Sequence, residues 1–220
     1  MTMDRAVDTA RRSAEQSRCS VGCLAHRPDD LLTWANLVTL VRTLGCVLLA
    51  MASLAGHGRG LLAAALLVHW IGDVADGLLA RRFDQETPTG AVLDIVADRL
   101  CVAVVYVGFV VGSPEFAVAL GVYLVEFMLV DAVLSLAFLR WPISGPNYFA
   151  RVDRLVWRWN WWPPAKVANS AVPALVCVVL GSPTLALALA VALLVLKVGS
   201  LVRVVGMLQR RGEVCGALHG

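Results

Sequence analysis

Charged residues are scarce in this chain of 220 residues, in which Asp, Glu, Lys and Arg together make up 16%. Ordinary soluble domains carry about 25% of these residues. Hydrophobic residues account for 59% of the sequence, and the mean hydropathy is +0.73. The chain lacks the charge that a water-soluble surface needs, so the composition predicts an integral membrane protein. We expect no nucleic-acid partner.

The sequence also lacks a cysteine and histidine pattern of the kind that binds zinc or forms a disulfide framework. Its six cysteines lie mostly within or next to apolar segments, and we expect all of them to be reduced thiols. A secretory signal is missing as well, because no apolar run begins before Leu31. Residues 1–30 are polar and rich in arginine, which predicts a cytoplasmic tail or a helix at the membrane surface.

The sequence does contain six apolar segments, each close to the roughly 20 residues that a membrane-spanning helix needs. They lie near residues 34–54, 60–80, 89–111, 116–139, 165–180 and 184–207. The predicted fold is all-α, a polytopic membrane protein with six transmembrane helices. We expect residues 31–210 to form this membrane domain and residues 211–220 to form a cytoplasmic C-terminal tail.

The breaks between these segments alternate in charge. Arginine is abundant before the first segment, at Arg81 and Arg82, in the 140–163 loop and after the sixth segment, whereas the other breaks carry almost no positive charge. The positive-inside rule places the arginine-rich breaks and both termini in the cytoplasm. The predicted location is the inner membrane of a bacterium.

The 140–163 loop mixes tryptophans and arginines, among them Trp141, Trp161 and Arg154. This mixture is typical of an interfacial belt, with indoles at the depth of the lipid headgroups and guanidinium groups near the lipid phosphates. The alternative interpretation is that some of these arginines line the mouth of a substrate site.

Four carboxylates stand inside apolar segments, Asp73 and Asp76 in the second and Asp94 and Asp98 in the third. Residues three or four apart share one face of a helix, so each segment presents an acidic face, and a short turn lets the two faces meet. Carboxylates within a membrane are costly and are usually functional. Four of them in a low-dielectric site need protons or cations, and oxygen-only ligands favour magnesium or manganese over zinc. The structural alternative is an ion cluster with nearby arginines.

The pattern D-x2-D-G-x2-A-R-x8-G-x3-D-x3-D around these carboxylates resembles the signature of the CDP-alcohol phosphotransferases. All of its fixed positions match, namely Asp73, Asp76, Gly77, Ala80, Arg81, Gly90, Asp94 and Asp98. The resemblance implies that Asp73, Asp76 and Asp94 hold divalent metal, and that Asp98 is the catalytic base and also contacts a second ion. It further implies that Gly77, Ala80 and Arg81 bind the cytidine diphosphate, that the cofactor is Mg²⁺ or Mn²⁺ as two ions, and that the protein forms a homodimer.

Two weaker likenesses to the same family lie elsewhere. Asn36, Thr39 and Arg42 match an N-x2-T-x2-R run that the family carries in the first helix, although Ala35 replaces the usual preceding proline. By this likeness Asn36 and Thr39 join the CDP site, and Arg42 pairs with the aspartates or with a substrate phosphate. Lys166 retains only part of a lysine motif at the fifth helix. The candidate residues for a phosphate or the acceptor are Arg42, Lys166, Arg154 and Lys197.

The resemblance implies transfer of a phosphatidyl group from a CDP-linked lipid, CDP-diacylglycerol above all, to a small polar alcohol, with release of CMP, in phospholipid synthesis. Within the family, transfer from a soluble CDP-alcohol to a lipid acceptor is an alternative. From other classes, a small divalent-cation transporter and a catalytically silent membrane partner are also considered. A transporter needs polar groups across the whole membrane, and the outer halves of these segments are almost wholly apolar. The sequence leaves the acceptor alcohol open.

Overall fold

A computed structural model describes residues 31–219, with side chains described to Gln209. Within that part of the chain, six helices are long and apolar enough to cross a membrane, which is the architecture of a polytopic membrane protein. They are α1 Trp34–His57, α2 Gly60–Arg82, α3 Pro88–Gly112, α4 Pro114–Arg140, α5 Arg154–Leu180 and α6 Pro183–His219, of which Pro183–Gln209 is the apolar part.

The six predicted segments are confirmed, and the ends of all but the fifth agree within a few residues. The tail predicted for residues 1–30 lies outside the described residues. The helix α6 continues to His219, so the backbone of the predicted C-terminal tail extends that helix, and its cytoplasmic location stays a prediction.

Three of the helices are built from pieces, and α1 and α5 each end in a π-helical turn, Ser53–His57 and Val176–Leu180. The helix α4 contains a π-helical turn, Glu126–Val130, between the α-helical pieces Ala117–Val125 and Asp131–Leu136. The helix α5 starts with a short piece, Arg154–Asn160, turns at Trp161 and Trp162, and resumes at Pro163. This is why α5 begins earlier than the predicted segment 165–180.

Local sequence signals explain where the helices of the site begin. The Thr33 side chain accepts a hydrogen bond from the backbone N–H of Asn36 and caps α1. The Thr87 side chain accepts one from the backbone N–H of Gly90 and caps α3. Pro88 follows this cap in the first turn of α3, where proline loses no helical hydrogen bond. Both starts are therefore fixed by short polar side chains.

Hydrogen bonds join inter-helix connections to one another or to a helix terminus at each of the two opposite ends of the bundle. At one end, the hydroxyl of Tyr148, in the connection between α4 and α5, donates to Glu86 between α2 and α3 at 2.6 Å. At the other end, the Arg59 side chain, between α1 and α2, donates to the backbone carbonyl of Gly112 at the end of α3. The arginine-rich connections predicted to share one side of the membrane thus lie together.

The connection between α4 and α5 is anchored by Asp153. Its carboxylate accepts from the backbone N–H groups of Leu155 and Val156 and from the Arg203 guanidinium of α6. Burial acts to raise the pKa of Asp153, but the N–H groups and the guanidinium outweigh it and hold the pKa below its usual value. The connection is therefore fixed to both α5 and α6.

The expectation of an interfacial tryptophan belt is only partly right. Trp162 and Trp159 are exposed, as that expectation requires, but Trp141 and Trp161 are buried. These two indoles pack against Phe149 with ring centroids 5.2 and 4.9 Å apart. The connection has an apolar core of its own, and that core buries the two indoles.

The interior holds apolar residues that range in size from alanine to phenylalanine, tyrosine and tryptophan, and the outer surface is apolar as well. Large exposed side chains along the helices include Leu44, Ile71, Val107, Val118, Val178 and Val202. An outer surface of this kind is stable in hydrocarbon and unfavourable in water. The fold therefore has a lipid-facing exterior around a partly polar interior.

We expect Phe149→Ala to lower the free energy of unfolding by about 3–5 kcal/mol, because the ring is fully buried and leaves a cavity. Unfolding by sodium dodecyl sulfate from mild detergent micelles measures this change. The matched control is Phe83→Ala, whose ring is exposed and whose loss should change stability by no more than about 0.5 kcal/mol. Equal shifts in the two variants would contradict the assigned core.

Candidate active site

Three helices bring their polar faces to one cavity. Asp73 and Asp76 come from α2, and Asp94 and Asp98 come from the first half of α3. The turn between α2 and α3 is short, so the acidic faces predicted from the spacing of three and four residues do face each other. The helix α1 packs beside both of them and completes the cluster with Arg42.

Arg42 is the cation that holds the four carboxylates together. Its Nε donates to Asp76 at 2.8 Å, and its Nη2 donates to Asp94 at 2.5 Å and to Asp98 at 2.8 Å. Asp73 lies 3.8 Å from the same Nη2. The guanidinium is buried, so each contact acts in a low dielectric and is strong. One side chain of α1 is thereby bonded to both α2 and α3.

The four carboxylates differ in access to the cavity. The side chain of Asp76 is only 5% exposed, whereas those of Asp73 and Asp94 are 39% and 38% exposed. Asp98 is intermediate at 25%. Asp76 also accepts a hydrogen bond from the Thr39 hydroxyl at 2.7 Å, on the same Oδ2 that Arg42 binds. Asp76 is therefore held in place through that oxygen, and the other three carboxylates are the more accessible ones.

Two glycines make this packing possible. A Cβ on Gly72 would lie 2.5 Å from the Cβ and Cδ of Arg42, so only glycine lets Arg42 pass along α2. A Cβ on Gly90 would lie 2.9 Å from the side-chain oxygens of Asn36 and Thr87. Gly90 belongs to the signature, but Gly72 does not, and the sequence analysis missed it.

His69 is a second residue of the site that the sequence did not single out. Its Nδ1 lies 2.8 Å from the Nη1 of Arg42 and 3.9 Å from the carboxylate of Asp98. A guanidinium can only donate, so the Nδ1 accepts, and the proton of a neutral imidazole is on Nε2. His69 thus binds Nη1, the guanidinium nitrogen of Arg42 that makes none of the carboxylate contacts described above.

Three of the carboxylates fit a divalent metal ion. One oxygen each from Asp73, Asp76 and Asp94 lies within 4.8 Å of the others, which matches the spread of oxygen ligands around one ion. Carboxylate oxygens without sulfur or nitrogen suit magnesium or manganese. The geometry supports the predicted metal ligands, and it puts Asp98 one helical turn further along α3.

A second group of charges lines the far part of the cavity, and only Lys197 among its members was a candidate from the sequence. Asp131 of α4 accepts from Lys197 of α6 and from Arg99 of α3, both at 2.6 Å. Glu126 lies beside them, is 1% exposed, and its Oε1 has no hydrogen-bond partner among the described residues. The cavity therefore has a carboxylate end near α2 and a mixed-charge end near α4 and α6.

The structure brings most of the predicted site residues to this cavity. Its lining includes Asn36, Thr39, Asp73, Asp76, Gly77, Ala80, Arg81, Asp94, Asp98, Lys166 and Lys197. Two predicted residues do not line it. Arg42 lies behind the carboxylates that it binds, and Arg154 is exposed at the start of α5.

The cavity volume is about 230 Å³, which is below the roughly 300–1,000 Å³ of a pocket that encloses a drug-sized ligand. It can enclose the polar part of a ligand but not two acyl chains. Any lipid chains of a substrate must lie outside it, against the apolar exterior of the helices.

Comparisons with known proteins agree with this chemistry. The protein-family model described as CDP-alcohol phosphatidyltransferase matches residues 32–202 of the chain. A CDP-diacylglycerol–glycerol-3-phosphate 3-phosphatidyltransferase of Pseudomonas fluorescens is 39% identical over 74 residues, which are 33% of this chain and 38% of that protein. The chain thus matches well under half of the length of this relative. No solved structure is significantly similar to the chain.

We expect Gly72→Ala to lower the free energy of unfolding by about 1–3 kcal/mol, because the added methyl group displaces Arg42 from α2. Unfolding by sodium dodecyl sulfate measures the change. The matched control is Gly199→Ala in α6, where the new methyl group meets open space and a helical alanine should be neutral or slightly stabilising. If Gly72→Ala is as stable as the control, the Arg42 side chain does not need the space beside Gly72 to reach the carboxylates.

Proposed function

Because the chain belongs to the CDP-alcohol phosphatidyltransferase family, we propose that it transfers a phosphatidyl group from CDP-diacylglycerol to a small polar alcohol and releases CMP. The observation that carries this proposal is the meeting of four carboxylates with the signature residues of α2 in one cavity. The relative from Pseudomonas fluorescens, named for transfer to glycerol 3-phosphate, supports the same class of reaction.

The CDP group would bind along the last two turns of α2. Gly77, Ala80 and Arg81 line the cavity there. The terminal Nη1 of Arg81 would be 3.4 Å from a Cβ on Gly77, so the glycine keeps the backbone beside the guanidinium open to a ligand. A guanidinium can bind two phosphate oxygens at once. Asn36 and Thr39, at the start of α1, complete this side of the cavity.

Asp98 would act as the general base. Its carboxylate reaches the cavity and is held by the Arg42 guanidinium at 2.8 Å, which fixes its position one turn past Asp94. The acceptor hydroxyl attacks the β-phosphorus and gives its proton to Asp98. The bond from that phosphorus to the bridging oxygen breaks, and the oxygen leaves with CMP. A positioned base of this kind contributes about 10²–10⁴-fold to a rate.

Asp73, Asp76 and Asp94 would hold Mg²⁺ or Mn²⁺, and Asp98 would share a second ion. A bound ion of this kind neutralises the charge of the diphosphate and stabilises the departing oxyanion. The contacts of Asp76 with Thr39 and Arg42 keep its carboxylate from turning away from that position. The chain thus supplies a preorganised set of oxygen ligands.

We place the reaction at the inner face of a bacterial cell membrane. The arginine-rich connections lie at the same end of the bundle as the cavity, and the positive-inside rule assigns that end to the cytoplasm. A lipid donor would enter from the side, with its acyl chains along the exposed apolar faces and its cytidine at the surface. Like other members of its family, the protein would work as a homodimer.

We expect the purified protein to release CMP from CDP-diacylglycerol when an acceptor alcohol is present, and Asp98→Asn to slow that release by about 10²–10⁴-fold. The matched control is Asp84→Asn in the turn between α2 and α3. This residue has a φ of 55°, which asparagine adopts readily, and it does not line the cavity. Cation flux into liposomes without CMP release would support a transporter and contradict the proposed reaction.

We expect chelation of divalent ions to abolish CMP release, and added Mg²⁺ or Mn²⁺ to restore it. Mn²⁺ binding, followed by electron paramagnetic resonance, should weaken by at least about 10-fold in Asp94→Asn, because losing a ligand costs no less than losing a residue that orients one. Binding should stay unchanged in Asp84→Asn. Activity that persists in the chelator would contradict the assigned metal role of the carboxylates.

A further inference from the structure

The π-helical turn of α4 determines which side chains reach the far end of the cavity. Glu126 and Asp131 are five residues apart, and in an α-helix they would point about 140° away from each other. The turn Glu126–Val130 adds a residue, and the N–H of Asp131 donates to the carbonyl of Glu126. Both carboxylates therefore line the same cavity. Single π-turns of this kind are often found at functional sites.

The positive charges at this end are already neutralised. Lys197 and Arg99 both bind the carboxylate of Asp131 at 2.6 Å. Both cations are therefore already paired with a carboxylate, and the carboxyl group of Glu126 lies beside them. Arg99, Lys197, Asp131 and Glu126 are all at least 90% buried. Among the described residues, this end of the cavity therefore has no buried cation without a carboxylate partner that could neutralise a bound phosphate.

Several polar atoms at this end nevertheless have no partner. Among the described residues, the Oε1 of Glu126 and the Oδ1 of Asn160 are buried acceptors without a hydrogen bond. The Nε of Arg99 and the Nδ2 of Asn169 are buried donors without one. All four residues line the cavity. Unpaired buried groups are costly, and a ligand that offers both donors and acceptors would satisfy them.

Resting on the reaction proposed above, we propose that this end of the cavity binds the acceptor, and that the acceptor is a hydroxyl-rich alcohol without a phosphate and without net charge. A hydroxyl group can donate to Glu126 or Asn160 and accept from Arg99 or Asn169. One such group then points from the mixed-charge end toward Asp98. Glu126 is the residue that determines this specificity.

A phosphate monoester fits this end poorly. Its two negative charges would lie beside the carboxyl group of Glu126, whose Oε1 has no hydrogen-bond partner among the described residues, and an ionised carboxyl in a buried site would repel them strongly. Capturing the cations would break their bonds to Asp131 and leave that carboxylate unpaired. Lys166 also lines the cavity, but it is exposed, and water and salt weaken its attraction for an anion.

Pairs of acceptors that differ only by a phosphate test this inference on the whole protein in detergent with CDP-diacylglycerol. The pairs are glycerol with glycerol 3-phosphate and myo-inositol with inositol 1-phosphate. We expect kcat/KM for the better uncharged alcohol to exceed that of its phosphate by at least about tenfold, because the charged partner leaves buried groups unpaired. Preference for the phosphorylated member of both pairs would overturn the inference while leaving the reaction class intact. Absence of CMP release with every acceptor would instead contradict the proposed function.

Glu126→Gln separates a role in specificity from a role in folding. The variant keeps the shape of the side chain and removes its charge. We expect the KM for the uncharged acceptor to rise about tenfold, the KM for CDP-diacylglycerol to stay unchanged, and discrimination against the phosphorylated acceptor to fall. The matched control is Glu115→Gln, which makes the same chemical change at an exposed position of α4.

An unchanged acceptor KM and unchanged discrimination in Glu126→Gln would overturn the role of Glu126. If that variant does not fold, Glu126→Asp is the substitute, because it shortens the side chain by one methylene group and moves the carboxyl group back. It should raise the KM for the acceptor and leave the KM for CDP-diacylglycerol unchanged. If neither variant folds, the comparison of acceptor pairs on the unaltered protein decides the inference.

Discussion

The bonds between Arg42 and the carboxylates of α2 and α3 are the interaction on which the rest of the site depends. A single buried guanidinium donates to Asp76, Asp94 and Asp98, and its remaining arm meets His69. Without this cation, the carboxylates would repel one another in a low dielectric, and α1, α2 and α3 would lose the contact that sets their spacing. Asp73, Asp76 and Asp94 lie near Arg42 and also suit a metal ion, so the two cations draw on the same residues.

Much of this arrangement could be predicted because regular helices make sequence spacing equivalent to spatial position. Asp73 with Asp76, and Asp94 with Asp98, share helix faces by their spacing alone, and the brief turn between α2 and α3 leaves one way for those faces to meet. The six spans were equally predictable, since hydropathy and length decide them. The sequence narrowed the partner of Arg42 to the aspartates or a substrate phosphate but could not choose between them. Contacts between two helices that are distant in sequence do not follow from the residue spacing within each helix.

The sequence did not predict the features that depend on packing between distant segments or on a departure from α-helical periodicity. Gly72 is an ordinary helical glycine until Arg42 is packed against it. Trp141 and Trp161 are typical of a membrane interface, yet they are buried around Phe149 because the connection from α4 to α5 folds on itself. Glu126 and Asp131 violate the helical period, since a π-turn separates them.

The π-turn has a further consequence for how such chains are compared. Because it holds one residue more than an α-helical turn of the same rise, a homologous chain that lacks this residue would have every α4 position beyond it rotated by about 100°. A one-residue gap near position 126 in an alignment would therefore mark a different set of side chains facing the acceptor. If this end of the cavity binds the acceptor, as proposed above, such relatives would present other side chains to it even where all four aspartates are identical.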